Sequence, residues 1–191
     1  MADTLAALPS NLHVLWMDGN SFVENSFSEE GDLDPPSFAA ALPALEVLTL
    51  NRNELRSFST ELPQSLTRLE LDYAGLTSIA GVNWRELTSL EVVWLTANEL
   101  GFAETVEQLP PSIRTLDMQY NGIESGNVPD SLADALPALE TLVLSDNWFL
   151  GAFSTQLPRG LKDLALAYTG LTSINGTNWG DLTSLRTVDL R

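Results

Sequence analysis

The chain has 191 residues, no cysteine and one histidine, and its 26 acidic side chains against nine basic ones give a net charge of −17. Disulfides, thiol chemistry and cysteine-based zinc sites are thereby excluded, and the charge opposes nucleic-acid phosphates and anionic membrane surfaces. An apolar content of 44% suits one domain with a substantial core, and no apolar run approaches the roughly 18–20 residues a membrane span needs.

The opening stretch MADTLAALPSNL has no basic run followed by an apolar one and does not read as a signal peptide. From Leu12 the pattern Leu-x-x-Leu-x-Leu-x-x-Asn-x-Leu recurs. LHVLWMDGNSF begins at 12, LEVLTLNRNEL at 45, LTRLELDYAGL at 66 and LEVVWLTANEL at 90. IRTLDMQYNGI follows at 113, LETLVLSDNWF at 139 and LKDLALAYTGL at 161, and LRTVDLR opens an eighth unit at 185, where the chain stops in mid-pattern. The starts lie 33, 21, 24, 23, 26, 22 and 24 residues apart. A period of this length means stacked coils, none of which can bury its apolar side alone. In each coil the alternating Leu-x-Leu predicts a short strand that sends leucine inward and its neighbours outward. Parallel strands of successive coils then stack about 4.8 Å apart.

The segments between strands carry their own signals. After the first strand comes the acidic stretch ENSFSEEGDLD, which lacks calcium-loop spacing and reads as a solvated bulge rather than a cation site. DPPSFAAALPAL (34–45) and VPDSLADALPAL (128–139) place proline ahead of an Ala- and Leu-rich run, as at a helix start. GLTSIAGVNWRELTSL (75–90) returns as GLTSINGTNWGDLTSL (170–185), with twelve of sixteen letters unchanged. ALPALEVLTL of coil two likewise resembles ALPALETLVL of coil six. A four-coil block is therefore read as duplicated, approximately 12–112 and 113–191. Trp84 and Trp179 are expected as apolar plugs between coils on the convex side, with Asn83 and Asn178 holding the turn.

Seven nearly complete motifs make the chain resemble the leucine-rich repeat family from about residue 8 to its last residue. The resemblance implies an α/β fold, a leucine-rich repeat solenoid curved like a horseshoe. It would have about eight coils, a parallel β-sheet on the concave side, and loops, short helices or 3-10 turns on the convex side. The chain is read as a single domain over 1–191, a piece of something longer. In the family the motif asparagine forms a buried ladder that satisfies backbone groups as each coil turns. Asn20, Asn53, Asn98, Asn121 and Asn147 fit it, whereas Ala74 and Thr169 occupy that slot in coils three and seven, where the ladder should weaken. The Cys-rich caps common in vertebrate extracellular members and the plant Gly-x-Ile-Pro signature are missing. LPQSLTRLEL and LPPSIRTLDM look like the short Leu-Pro units of some bacterial and protist members.

Catalytic constellations are scarce. His13 has Asp18 and Ser21 nearby, but nothing in the spacing favours a triad, and it reads as a surface histidine. No phosphate-cradling glycine loop or paired metal-ligand histidines occur. Glu70 and Asp117 lie two coils apart, about 10 Å by strand spacing, loosely like an inverting glycosidase pair. Carboxylates are so abundant that such a pair arises by chance. No enzyme activity, cofactor or metal is expected.

The concave face is formed by letters two, three, five, seven and eight of each unit. These 39 positions hold ten acidic and six basic residues, which leaves sixteen acids and three basic residues elsewhere. The second letters Glu91, Arg114, Glu140 and Lys162 alternate in sign and should pair across strands. The fifth letters read Trp16, Thr49, Glu70, Trp94, Asp117, Val143, Ala165 and Asp189. Trp94 faces outward between Glu70 and Asp117, with Tyr73 and Tyr120 on the same neighbouring coils. Aromatic residues among a few charges are what protein-binding hot spots are made of. The expected partner-binding set is Trp94, Glu70, Asp117, Tyr73, Tyr120, Asp72 and Trp16.

The family resemblance implies a recognition scaffold, so the partner expected is a protein held on the concave face. A carbohydrate- or surface-binding adhesion module is the alternative, with Trp94 stacking on a sugar ring. Leu185, Val188 and Leu190 of the last strand have an inward face to bury, and end-to-end self-association through that edge is a further expectation.

Overall fold

The computed structural model describes Leu5 and residues 7–23, 37–149 and 151–191. The acidic stretch 24–34 lies outside the described residues. Eight three-residue strands form one parallel sheet in chain order: β1 (Val14–Trp16), β2 (Val47–Thr49), β3 (Arg68–Glu70), β4 (Val92–Trp94), β5 (Thr115–Asp117), β6 (Thr141–Val143), β7 (Asp163–Ala165) and β8 (Thr187–Asp189). Every pair is in the register the motif sets, so that Leu48, Leu69, Val93, Leu116, Leu142 and Leu164 line up as neighbours. All six are at most 1% exposed. Period-two alternation makes this register unambiguous, because a one-residue slip would turn every leucine out to solvent.

The asparagine ladder locks the coils together. Asn98 Nδ2 donates to the Leu71 and Leu95 carbonyls at 2.9 Å, and its Oδ1 accepts from the Ala74 and Leu76 amides at 3.2 and 2.9 Å. Asn147 does the same for Met118, Leu144, Asn121 and Ile123. Buried backbone groups leaving a strand are thus satisfied by a side chain of the next coil. Where Thr169 stands in the slot, its hydroxyl reaches only the Leu166 carbonyl of its own coil, and Ala74 offers no side-chain group. The ladder weakens at both expected places.

The convex side carries α1 (Phe38–Ala41), α2 (Phe102–Gln108) and α3 (Leu132–Ala135), with 3-10 turns at Trp84–Glu86, Ser125–Asn127 and Trp179–Asp181. The helices α1 and α3 begin on serine N-caps, with Ser37 accepting from the Ala40 amide and Ser131 from the Asp134 amide. The helix α2 has no proline before it, so the start signal used above does not find it. Its spacing does, since Phe102, Thr105 and Val106 are buried at i, i+3 and i+4.

Trp84 is 2% exposed, and its indole Nε1 donates to the Ile79 carbonyl at 2.8 Å. Asn83 beside it donates to the Leu62 carbonyl at 3.1 Å and accepts from the Leu62 amide at 2.9 Å. Asn178 repeats this with Leu157 at 3.0 and 2.8 Å, and Trp179 with Ile174 at 2.8 Å. Trp179, with a coil on one side only in this chain, is half-buried. The Asn-Trp pair therefore pins each return segment to the preceding coil, a packing role. Among the described residues no helix is long and apolar enough to cross a membrane.

Candidate functional site

Strands alternate, so the residues on either side of each buried leucine face the concave side together. Along one edge of this face the second-letter charges pair as their signs predict. Arg114 lies 3.5 Å from Glu91 and 2.8 Å from Glu140, and Lys162 lies 2.6 Å from Glu140. The Lys162 ammonium holds the Glu140 carboxyl below the usual carboxylate range, with Arg114 adding to it. At the N-terminal end His13 sits 3.0 Å from Glu46. This edge is self-satisfied.

The centre is built differently. The guanidinium of Arg68, a third-letter residue of β3, lies over the Trp94 ring at 4.2 Å from its centroid. Its Nε is 2.6 Å from Glu70 Oε1, and the other Glu70 oxygen accepts from Asn51 Nδ2 at 2.9 Å. Trp94 faces the concave side as its letter requires, yet it is half-buried because Arg68 covers one ring face. Glu70 is only 9% exposed and belongs to this stack rather than to solvent.

Asp117 is also engaged, accepting from Thr96 Oγ1 at 3.0 Å and from the Gln119 amide and Nε2 at 3.0 and 3.1 Å. Asp72 accepts from the Thr96 amide at 2.7 Å. That contact belongs to a second ladder, at the seventh letter, in which a side chain caps the amide of the next coil. Asp18 serves Asn51, Asn51 serves Asp72, Asp72 serves Thr96, and Ser145 serves Ala167. Nothing in the sequence reading anticipates it. Partial burial, followed by the Asp117 and Glu70 charges, raises the Asp72 carboxyl to about 6 against the lowering effect of the Thr96 amide.

Tyr73 and Tyr120 stand 53% and 54% exposed on the rim, as does Trp16 at 75% on the face. Trp16 is three strands from Trp94 in the sheet, so it does not join the central group. The structure therefore brings Trp94, Glu70, Asp117, Asp72, Tyr73 and Tyr120 into one neighbourhood and leaves Trp16 apart. Arg68 is the central residue the sequence reading misses. That reading also misses Tyr168 and Trp148, 69% and 63% exposed in coils seven and six, although Tyr168 repeats the letter of Tyr73 and Tyr120.

Glu70 and Asp117 are separated by the Trp94 strand, and both are held by protein donors. Asp18 serves Thr49 and Asn51 rather than His13. Among the described residues no group of histidine and carboxylate side chains is arranged to hold a metal ion.

A family model described as Leucine Rich Repeat matches residues 112–135. Podocan-like protein 1 of Mus musculus is 29% identical over 190 residues, covering 96% of this chain and 32% of that protein. The chain thus spans about a third of this curated relative. Among solved structures, internalin C2 of Listeria monocytogenes is similar with a TM-score of 0.67 at 20% identity, over 95% of this chain and 72% of that one. The TLR13 chain of a TLR13–ssRNA13 complex is similar with a TM-score of 0.74 at 23% identity, over 99% of this chain and 26% of that one. At these identities the structural likeness speaks to the fold.

Proposed function

Since this chain belongs to the leucine-rich repeat proteins, we propose that it is a non-enzymatic recognition module that holds a protein partner on its concave face, centred on Trp94. The observation that carries this reading is the Arg68–Trp94 stack, held at one end by Glu70, with Tyr73 and Tyr120 exposed on the two flanking coils. Tryptophan, tyrosine and arginine are the residues on which protein-interface energy concentrates. Here two of them are already locked together, so little side-chain freedom remains to be lost on binding. The carboxylates nearby are engaged by backbone and side-chain donors, which favours a binding surface over acid–base chemistry. The single-stranded RNA of the TLR13 complex belongs to that receptor. The acid excess of this chain opposes a polyanion. We also read the matched Asn83–Leu62 and Asn178–Leu157 contacts as support for a duplicated four-coil block.

A carbohydrate would have to stack on Trp94 with Arg68 already on one face of the ring, which makes it the weaker reading. The test is capture of protein partners beside a glycan array, each with wild type and Trp94→Ala. A saturable protein interaction weakened about 30-fold or more by Trp94→Ala supports the reading. Protein capture indifferent to Trp94, or glycan binding that depends on it, overturns it.

A further inference from the structure

Coils three, five and seven each spell Tyr-x-Gly after the strand: Tyr73-Ala-Gly75, Tyr120-Asn-Gly122 and Tyr168-Thr-Gly170. The three tyrosines are 53–69% exposed, and all three take left-handed backbone, with φ of 54°, 52° and 57°. The turn itself demands that conformation, because Arg52, Ala97 and Asp146 adopt it at the same letter. Asparagine or glycine would take it with less strain than tyrosine. A bulky ring placed there and left largely in solvent is not explained by packing. Gly75 and Gly122, two residues past Tyr73 and Tyr120, have nothing within 4 Å of where a Cβ would stand, so the ground there is open.

The spacing is set by backbone hydrogen bonds that continue past the strands. The amides of Tyr73, Ala97, Asp146 and Tyr168 each donate to the next coil at 2.8 Å, and that of Tyr120 at 3.4 Å. Coil-to-coil distance at the tyrosines is therefore the sheet spacing, about 4.8 Å, and alternate coils stand about 9.6 Å apart. A polyproline II helix advances about 9.3 Å per three-residue turn. Between Tyr120 and Tyr168 the same letter of coil six is Asp146, whose carboxylate the Tyr120 hydroxyl meets, with exposed Trp148 two residues on.

We propose that Tyr73, Tyr120 and Tyr168 form a docking strip for a proline-rich segment in polyproline II conformation, one proline per ring, carrying an arginine or lysine that meets the Asp146 carboxylate between Tyr120 and Tyr168. The match of period, exposed aromatic faces and intervening negative charge is the chemistry by which such segments are recognised. Arg52 lies 5.6 Å from the Tyr73 ring centre and partly covers it, so Tyr120 and Tyr168 are the stronger pair. The strip deepens the reading of a protein partner and rests on it.

The experiment titrates the 191-residue chain with a synthetic peptide bearing proline at every third position and one arginine. A control peptide of the same composition has proline at every fourth. Expected is saturable binding of the first, about ten-fold weaker binding of the second, and about ten-fold loss in Tyr120→Asn and Tyr168→Asn. Asparagine suits the left-handed turn, so these variants keep the fold. Tyr120→Phe should bind like wild type, and Asp146→Asn should abolish the preference for arginine over alanine. Equal binding of the two peptides, indifference to both asparagine variants, or tyrosine resonances that answer a chito-oligosaccharide and not the peptide would overturn the strip. Trp94-dependent protein capture that survives such a result leaves the broader reading standing, and loss of both sinks both.

Discussion

Arg68 and Trp94, on neighbouring strands, are stacked at 4.2 Å, and the same guanidinium is paired with Glu70 at 2.6 Å. A tryptophan held this way contributes to stability chiefly through one cation–π contact, about 0.5–1 kcal/mol at an open site. Trp84, by contrast, fills the space between coils and is 2% exposed. Trp84→Ala should cost roughly 3–5 kcal/mol by opening a cavity, while Trp94→Ala should cost about 1 kcal/mol. Urea unfolding of both variants measures the difference. Equal losses would mean that Trp94 is a core residue and not a recognition one.

The same motif letter should carry very different weight in different coils. Asn98 is 5% exposed and serves two carbonyls and two amides of the ladder. Asn20, exposed in coil one, reaches only the Met17 and Asp18 carbonyls among the described residues. Asn98→Ala leaves several buried backbone groups unpaired and should cost about 3 kcal/mol or more, each such group being worth about 1–3 kcal/mol. Asn20→Ala should stay within about 0.5 kcal/mol. Thermal and denaturant midpoints of the two variants test this, and comparable destabilisation would refute the ladder as the source of the energy.

The elements that repeat a letter in every coil were legible in the sequence. Leucine spacing set the strands and their register, and Ala74 and Thr169 marked where the ladder breaks. The sign alternation of Glu91, Arg114, Glu140 and Lys162 foretold their pairing. The central site was legible only in outline. Asp72 reads as a surface carboxylate by its letter, yet it caps the Thr96 amide, a contact that depends on how one coil's turn meets the next strand. Arg68 carries no signal in the sequence, because a long flexible side chain at letter three chooses its neighbour in three dimensions, here the Trp94 ring and Glu70.

Stability should fall as pH rises through the range in which Asp72 ionises. Burial, with Asp117 and Glu70 nearby, holds its carboxyl at about 6 in the folded chain against an ordinary value of 3.8. Between about pH 4 and 6 the folded state therefore keeps a proton that the unfolded chain has released. Unfolding free energy must decline across that window. The contribution is fully present below the unfolded value and lost above the folded one. Asp72→Asn retains an oxygen to accept the Thr96 amide and removes the charge, so it should flatten this slope. At pH 7 the variant should be more stable than wild type by about 1 kcal/mol, solvent screening at a half-buried group keeping the gain small. Urea midpoints of the two proteins from pH 4 to 7 give the comparison, with other carboxylates cancelling in the difference. Parallel curves, or a variant less stable at pH 7, would show that Asp72 is held in its charged form by the Thr96 contact.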